Sequence, residues 1–344
     1  MERNSWVDYA KAIGIILVVY GHVARGVFKA GIPMDEGLYQ LVDSIIYSFH
    51  MPLFFFLSGL FFYNSFKSRG ATGLIANKVD TIIYPYILWS LLQGSIESVL
   101  SKYTNGSVSF SDVLAFAWQP RAQFWFLYAL FLVFVISSFL FTMFDKSRSA
   151  LLLIASGVLY IIMSQLPQNL INTYILGNVV FFILGVWFDD IKSAFEKHCA
   201  GLAVALGSLF VLGQYVFHGP MGLLYEDRGS ASLTLATVSI GFVIALSMCL
   251  SRLSIKSLMY IGASSMTIYL MHIIAGSGAR VALSKFLGIQ ATEAHLIIGT
   301  LIGIAAPLVA QAVIQRYRLN GLMTAPKSVS AEALFRRFRQ NQTA

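Results

Sequence analysis

Apolar residues run along this chain in long windows that break at short clusters of glycine, proline, asparagine and charge. Each window holds roughly 17 to 25 mostly apolar residues, the length that a helix rising about 1.5 Å per residue needs to cross a bilayer. Ten such windows can be laid down, at 6–28, 39–63, 79–100, 124–142, 150–165, 173–188, 200–217, 232–250, 258–277 and 294–315. The segments between them, among them Lys67 to Gly73, Thr104 to Asp112, Gly219 to Arg228 and Gly288 to Glu293, are too short for a soluble domain. The pattern predicts an all-α polytopic membrane protein of about ten transmembrane helices. Residues 1–320 form one membrane domain in this reading, and 321–344 a basic tail.

Composition agrees: at 57% hydrophobic and 12% charged, the 344 residues carry more apolar surface than one soluble core can bury, so lipid is the expected solvent. A net charge of +8 without a polar, basic face argues against a nucleic-acid partner. With a cytoplasmic N-terminus, 16 Lys and Arg residues, Arg3 among them, fall on the inner side and 7, Lys102 among them, on the outer, leaving Lys11 within the first helix. The positive-inside rule then predicts cytoplasmic termini, and the cell inner membrane is the expected location of this multi-pass protein. The tail from Ala333 to Gln340 alternates Leu334, Phe335 and Phe338 with Arg336, Arg337 and Arg339. That pattern suits a short helix lying on anionic membrane lipid, with a disordered basic tail as the alternative. Cys199 and Cys249 have neither disulfide nor metal spacing. The first apolar segment is too long and too polar for a signal peptide and is expected to be retained.

An ionisable side chain inside a span is costly, so the informative residues are those that break the apolar pattern. In the first helix these are Asp8, Lys11 and His22. At about 100° per residue, the step from Lys11 to His22 comes within roughly 20° of three full turns, placing both on one face about 16 Å apart. Asp8, one turn below, can pair with Lys11; the bland alternative is that both snorkel to the interface. His50 in FHMPLFFFLSG (49–59) and His272 in SMTIYLMH (265–272) interrupt other apolar runs. Counted from the predicted inner helix ends, His22, His50 and His272 lie at roughly 24, 20 and 21 Å, a shared level in the outer half of the membrane. Without an i,i+4 pair or acidic partner, no metal is expected there. Pro52 would free backbone carbonyls within the second helix, which implies a cavity beside His50. Ser58 and Gly59 read as close helix packing.

These strings resemble the acyltransferase-3 membrane family. WVDYAKAIGIILVVYGH (6–22) is similar to that family's opening, a basic residue and a histidine with ten residues between them. FHMPLFFFLSG resembles its second-helix string, FWFLYAL (124–130) its W-F-L string and SMTIYLMH its late Tyr-Leu-x-His string. The four occur in order over nearly the whole chain, and the opening looks most like the fucose 4-O-acetylase-like subgroup. The resemblance implies transfer of an acetyl or similar acyl group from cytoplasmic acyl-coenzyme A to a hydroxyl of an envelope or exported polysaccharide or its lipid-linked precursor. Acetyl-coenzyme A is then a co-substrate, and no permanently bound cofactor is expected. Many relatives carry two arginines, three apart, before a Pro-Tyr. Ahead of Pro85 and Tyr86 this chain has Lys78 and Thr81, so Lys78, helped by Lys67 and Arg69, is the expected donor-binding set. Some relatives append a soluble transferase domain; none is expected here.

In the mechanism this implies, neutral His22 is the general base on the sugar hydroxyl and Lys11 binds or orients the donor. Asp8 supports Lys11, while His50, His272 or a freed backbone amide stabilises the oxyanion. A covalent acyl-histidine stays open beside direct transfer. Trp125 is the candidate for stacking on the sugar, against a plain interfacial belt role. The loop residues Glu226, Asp227 and Arg228 are candidates to meet the acceptor, against a solvated loop without a role. The alternative function is a transporter or flippase for a lipid-linked sugar. Assembly into an oligomer is left open.

Overall fold

The computed structural model describes residues 5–100 and 110–343. Arg3, Lys102 and the start of the loop at Thr104 lie outside these residues, as do the side chains of Phe338 and Arg339. In chain order the helices are α1 (Ser5–Lys29), α2 (Glu36–Tyr47), α3 (His50–Leu60), α4 (Phe62–Lys78), α5 (Tyr84–Val99), the short α6 (Phe110–Leu114), α7 (Trp125–Met143) and α8 (Ser149–Ser164). They continue as α9 (Gly177–Phe188), α10 (Lys192–His218), α11 (Ser230–Ser251), α12 (Lys256–Ala263), α13 (Ser265–Val281), α14 (Thr292–Arg316) and α15 (Ala331–Thr343). No strand occurs among the described residues. Helices satisfy their own backbone groups, as a hydrocarbon solvent requires.

Among the described residues, nine helical stretches, some joining consecutive elements as Glu36–Leu60 joins α2 and α3, are long and apolar enough to cross a membrane. Large apolar side chains stand exposed on their outer faces, such as Ile154 on α8, Val204 and Val211 on α10, and Leu301 and Val309 on α14. Serines such as Ser137, Ser239 and Ser247 are sealed inside. The distribution is the reverse of a soluble protein's and matches a lipid surround. The nine helices fall on nine of the ten windows. The remaining window, 79–100, is a π-helical turn (Val79–Ile83) that runs into α5, where Asp80, Gln93 and Glu97 dilute the apolar run.

Two expected spans are cut. Window 39–63 is divided between α2 and α3 at Ser48 and Phe49, so Pro52 sits in the first turn of α3 rather than within a continuous helix. A missing N–H costs little in that position. Window 258–277 is divided between α12 and α13 at Ser264, and the long helix there is Ser265–Phe286, starting seven residues later than the window.

The chain forms two compact units. The first comprises Met1–Leu57 and Phe188–Ala312. At its centre α1 packs against α11, α12 and α13. Glycine allows these close approaches: a Cβ on Gly262 would overlap the Asp8 carbonyl, and one on Gly299 would stand 2.8 Å from Val23. Small residues at helix contacts replace the hydrophobic driving force that lipid removes.

The second unit comprises Ser58–Trp187 and Val313–Ala344. Phe62, Phe134, Phe141 and Phe182 make its aromatic core, with Phe134 and Phe182 edge to face at 5.0 Å. Gly59 lies on the Phe182 carbonyl, in keeping with its reading as a packing glycine. The segment expected as a basic tail ends in α15, whose start is held by Asp80. Ser330 Oγ and the Ala331 and Glu332 amides donate to the Asp80 carboxylate at 2.6, 2.7 and 3.1 Å.

Candidate active site

Because α1 is uninterrupted, Lys11 and His22 keep the same face. Asp8 is buried, and Lys11 and His22 are half-buried. His22 lies beside His272, with ring centroids 5.1 Å apart. On another side the Tyr47 ring approaches His22 edge-on at 6.5 Å and reaches His50 at 4.4 Å. Three helices thus bring the three imidazoles into one layer, with Tyr47 linking His22 to His50. Gly21 lies flat against the Tyr47 ring, where a Cβ would come 3.0 Å from it.

Hydrogen bonds fix the protonation pattern. His50 Nδ1 is 2.8 Å from the Ile46 carbonyl oxygen, and His272 Nδ1 is 2.8 Å from that of Tyr269. A carbonyl only accepts, so each Nδ1 carries the proton and each neutral ring leaves Nε2 as a bare lone pair. Both Nε2 atoms are sealed from solvent without a partner, as is the Tyr47 hydroxyl. His50 and His272 are each 1% exposed. The Ile46 carbonyl is available to His50 because the helix breaks there. A neutral ring protonated at Nδ1 has no N–H at Nε2 to give, which removes neutral His50 and His272 from the expected oxyanion donors. Tyr47 has an O–H in that position.

The sequence reading missed four residues that frame this layer: Tyr47, Arg25, Asp43 and Ser44. The Arg25 guanidinium stacks 3.4 Å from the Tyr47 ring centroid and pairs with Asp43 through two bonds of 2.8 Å. It also donates to the Tyr225 hydroxyl at 3.1 Å, and that hydroxyl donates to Glu226 at 2.8 Å. Of the proposed acceptor residues, Glu226 is therefore tied to the layer through Tyr225 and Arg25. Asp227 instead accepts from the Leu224 amide and closes its own loop. Arg228 is half-buried in the same loop. Ser44 joins the loop to the helices, accepting from the Tyr225 amide at 2.7 Å and donating to His218 Nε2 at 2.8 Å. The available signal was Arg25 itself, a charge three residues after His22 inside a predicted span.

A cleft of 580 Å³ opens beside the layer. Gly21, Ile46 and Asp43 line it, with Tyr20 and Tyr39 as aromatic walls and Asp35, Gln290, Thr292 and Glu293 as polar groups. Among the described residues no group of three or more His, Cys, Asp and Glu side chains is placed to hold a metal ion.

The remaining candidates belong to the second unit. Lys78 Nζ lies 4.4 Å from the Phe134 ring centroid. Burial, and then the nearby Arg69 guanidinium, push its ammonium down to about 8. Lys67 and Arg69 are exposed beside Gly70, whose φ of 70° interrupts α4, and Arg69 faces Glu332 at 3.9 Å. Bonds from Asn77 and Arg336 hold the Glu332 carboxylate below its ordinary range. Trp125 packs on Tyr174 at 4.5 Å.

Comparison with known proteins adds a family to this geometry. A family model described as an acyltransferase domain matches residues 4–312. The nodulation protein NolL of Sinorhizobium fredii (strain NBRC 101917 / NGR234) is 28% identical over 192 residues, covering 54% of this chain and 49% of that protein. NolL of Mesorhizobium japonicum (strain LMG 29417 / CECT 9101 / MAFF 303099) is 23% identical over 187 residues, covering 54% of this chain and 48% of that one. The matched segments span about half the length of these curated relatives. No solved structure matches the chain.

Proposed function

The chain belongs to the acyltransferase-3 family, and from that premise we propose that it is a membrane O-acyltransferase of the cell inner membrane, moving an acetyl or similar acyl group from cytoplasmic acyl-coenzyme A to a hydroxyl of a polysaccharide or its lipid-linked precursor. The observation that carries the reading is the layer of His22, His50 and His272 around Tyr47, with a cleft beside it.

His22 is the general base. It alone of the three imidazoles keeps access, while His50 and His272 are sealed. The bare Nε2 of His272 is suited to receive an N–H from His22 and so to hold its second nitrogen as the proton acceptor. His22 takes the proton of the sugar hydroxyl, and the sugar oxygen bonds to the thioester carbonyl carbon. The tetrahedral intermediate then collapses with loss of the coenzyme A thiolate, which takes the proton back from His22. The Tyr47 hydroxyl, buried and unpartnered, is the donor for the oxyanion, and Arg25 stacked on its ring favours negative charge there. The tyrosines and polar groups of the cleft suit a glycosyl acceptor; Glu226, tied to the histidine layer through Tyr225 and Arg25, is a further acceptor candidate, and Trp125, in the second unit, is a separate stacking candidate. In the first unit Lys11, supported by Asp8, is the residue proposed to orient the donor; in the second, Lys78 with Lys67 and Arg69 is the set proposed to bind donor phosphates.

The deciding experiment reconstitutes the purified protein in liposomes with radiolabelled acetyl-coenzyme A and a panel of lipid-linked and polymeric glycans. Label on glycan with wild type but not His22→Ala is the expected result. Equal labelling by His22→Ala would remove His22 as the base. Absence of labelling together with absence of coenzyme A binding would overturn the activity.

A further inference from the structure

Arg280 stands out among the cations of the first unit. It is half-buried on α13, eight residues after His272, and its Nε is sealed from solvent without a hydrogen-bond partner. Among the described residues no carboxylate pairs with it, whereas Arg25 in the same unit has a two-bond partner in Asp43. Its position is set by α1: Nε lies 3.9 Å from where a Cβ would stand on Gly26. Gly26 follows His22 by four residues, one helical turn or about 6 Å along the axis. Glycine at that place brings no side chain against the guanidinium.

A guanidinium inside a span whose Nε is sealed and which has no carboxylate partner among the described residues carries a desolvation cost that folding alone does not recover. A planar fork of N–H donors matches a phosphate or carboxylate better than any other ligand group. We infer that Arg280 is an anion-binding residue, receiving a phosphate from a ligand that lies along α1 one turn beyond His22. The inference stands on the geometry of α1 and α13 and needs the acyltransferase reading only to say who carries the phosphate. One source is the coenzyme A donor. The other is a phosphorylated lipid, whether carrier or headgroup.

The test is thermal unfolding of the purified full-length protein in detergent, with sodium chloride at matched ionic strength as the baseline. Wild type, Arg280→Gln, Arg280→Lys and the nearby control Lys285→Gln are each melted with sodium pyrophosphate, with coenzyme A and with a polyprenyl phosphate. A ligand that binds only the folded state raises the midpoint, here by a few degrees at saturation. For the ligand that Arg280 holds, the rise is expected in full in wild type and Lys285→Gln, weaker in Arg280→Lys and lost in Arg280→Gln. Loss of the pyrophosphate and coenzyme A responses in Arg280→Gln assigns the site to the donor, and loss of the polyprenyl phosphate response alone assigns it to a lipid. Without ligand, Arg280→Gln is expected to melt no lower than wild type, because it sheds an unpaired charge. A lower midpoint for that variant alone would make Arg280 a structural residue and overturn the inference. So would an Arg280→Gln response equal to wild type with every probe, or no response to any probe in wild type. None of these readouts requires turnover, so failure here and failure of acyl transfer are separate results.

Discussion

His22 and Tyr47 divide the proposed chemistry between a proton acceptor and an oxyanion donor, and each makes its own prediction. Removing a general base typically costs about 10² to 10⁴ in rate, so His22→Ala is expected to lose that much kcat with the coenzyme A KM little changed. Tyr47→Phe deletes only the buried hydroxyl, and losing one oxyanion donor costs about 10² to 10³ in kcat. Steady-state rates on reconstituted protein check both, and a Tyr47→Phe enzyme of wild-type rate would return the oxyanion role to the backbone. Lys78 predicts a pH dependence. With its ammonium pushed down to about 8 by burial and by Arg69, it is charged below that pH and neutral above it. The KM for coenzyme A donor is therefore expected to rise between pH 7 and 9, by up to about tenfold for loss of one charge-assisted contact. Lys78→Arg keeps its charge throughout, so its KM should stay flat over the same range. A wild-type KM that does not move would take Lys78 out of donor binding.

At the scale of elements, periodicity and turn residues located the helices but not their interruptions. The break between α2 and α3 places the Ile46 carbonyl where His50 donates to it, a side-chain substitution for backbone pairing that hydropathy does not encode. The division at Ser264 was hidden because α12 is itself apolar, and Gly262 is drawn onto Asp8 by packing rather than by a local helix stop. The shared depth of the histidines was legible all the same, since tertiary contact brings His272 beside His22. What one sequence withheld were the partners whose residue types are common in such helices, Tyr47 and Ser44. The start of α15 was equally out of reach, because its cap comes from Asp80 on a distant segment. Asp80→Ala removes all three of those bonds, and losing an N-terminal cap costs about 1 to 2 kcal/mol. The expected result is faster amide exchange across 331–343 with exchange in α7 unchanged. Protection of α15 equal to wild type would show that Phe335, packed on Gly73, holds the helix without the cap.

For the molecule as a whole, the remaining question is which side of the membrane the cleft faces, because that decides whether acyl transfer crosses the bilayer. Counted on the ten-window reading, 16 cations fall inside and 7 outside, an asymmetry in short loops that predicts a cytoplasmic N-terminal end for α1. Lys11 precedes His22 by eleven residues on an unbroken α1, so in that orientation the histidine layer lies about 16 Å further toward the outer face than Lys11. Glu293 lines the cleft and is exposed, which makes it a reporter of the same face. Glu293→Cys in a Cys249→Ser background is therefore expected to react with a membrane-impermeant maleimide in intact cells, without permeabilisation. Cys199 is buried and contributes little background. Labelling only after permeabilisation would reverse the orientation. It would put the cleft and its acceptor in the cytoplasm, and the reaction would then join two cytoplasmic substrates with no transmembrane step.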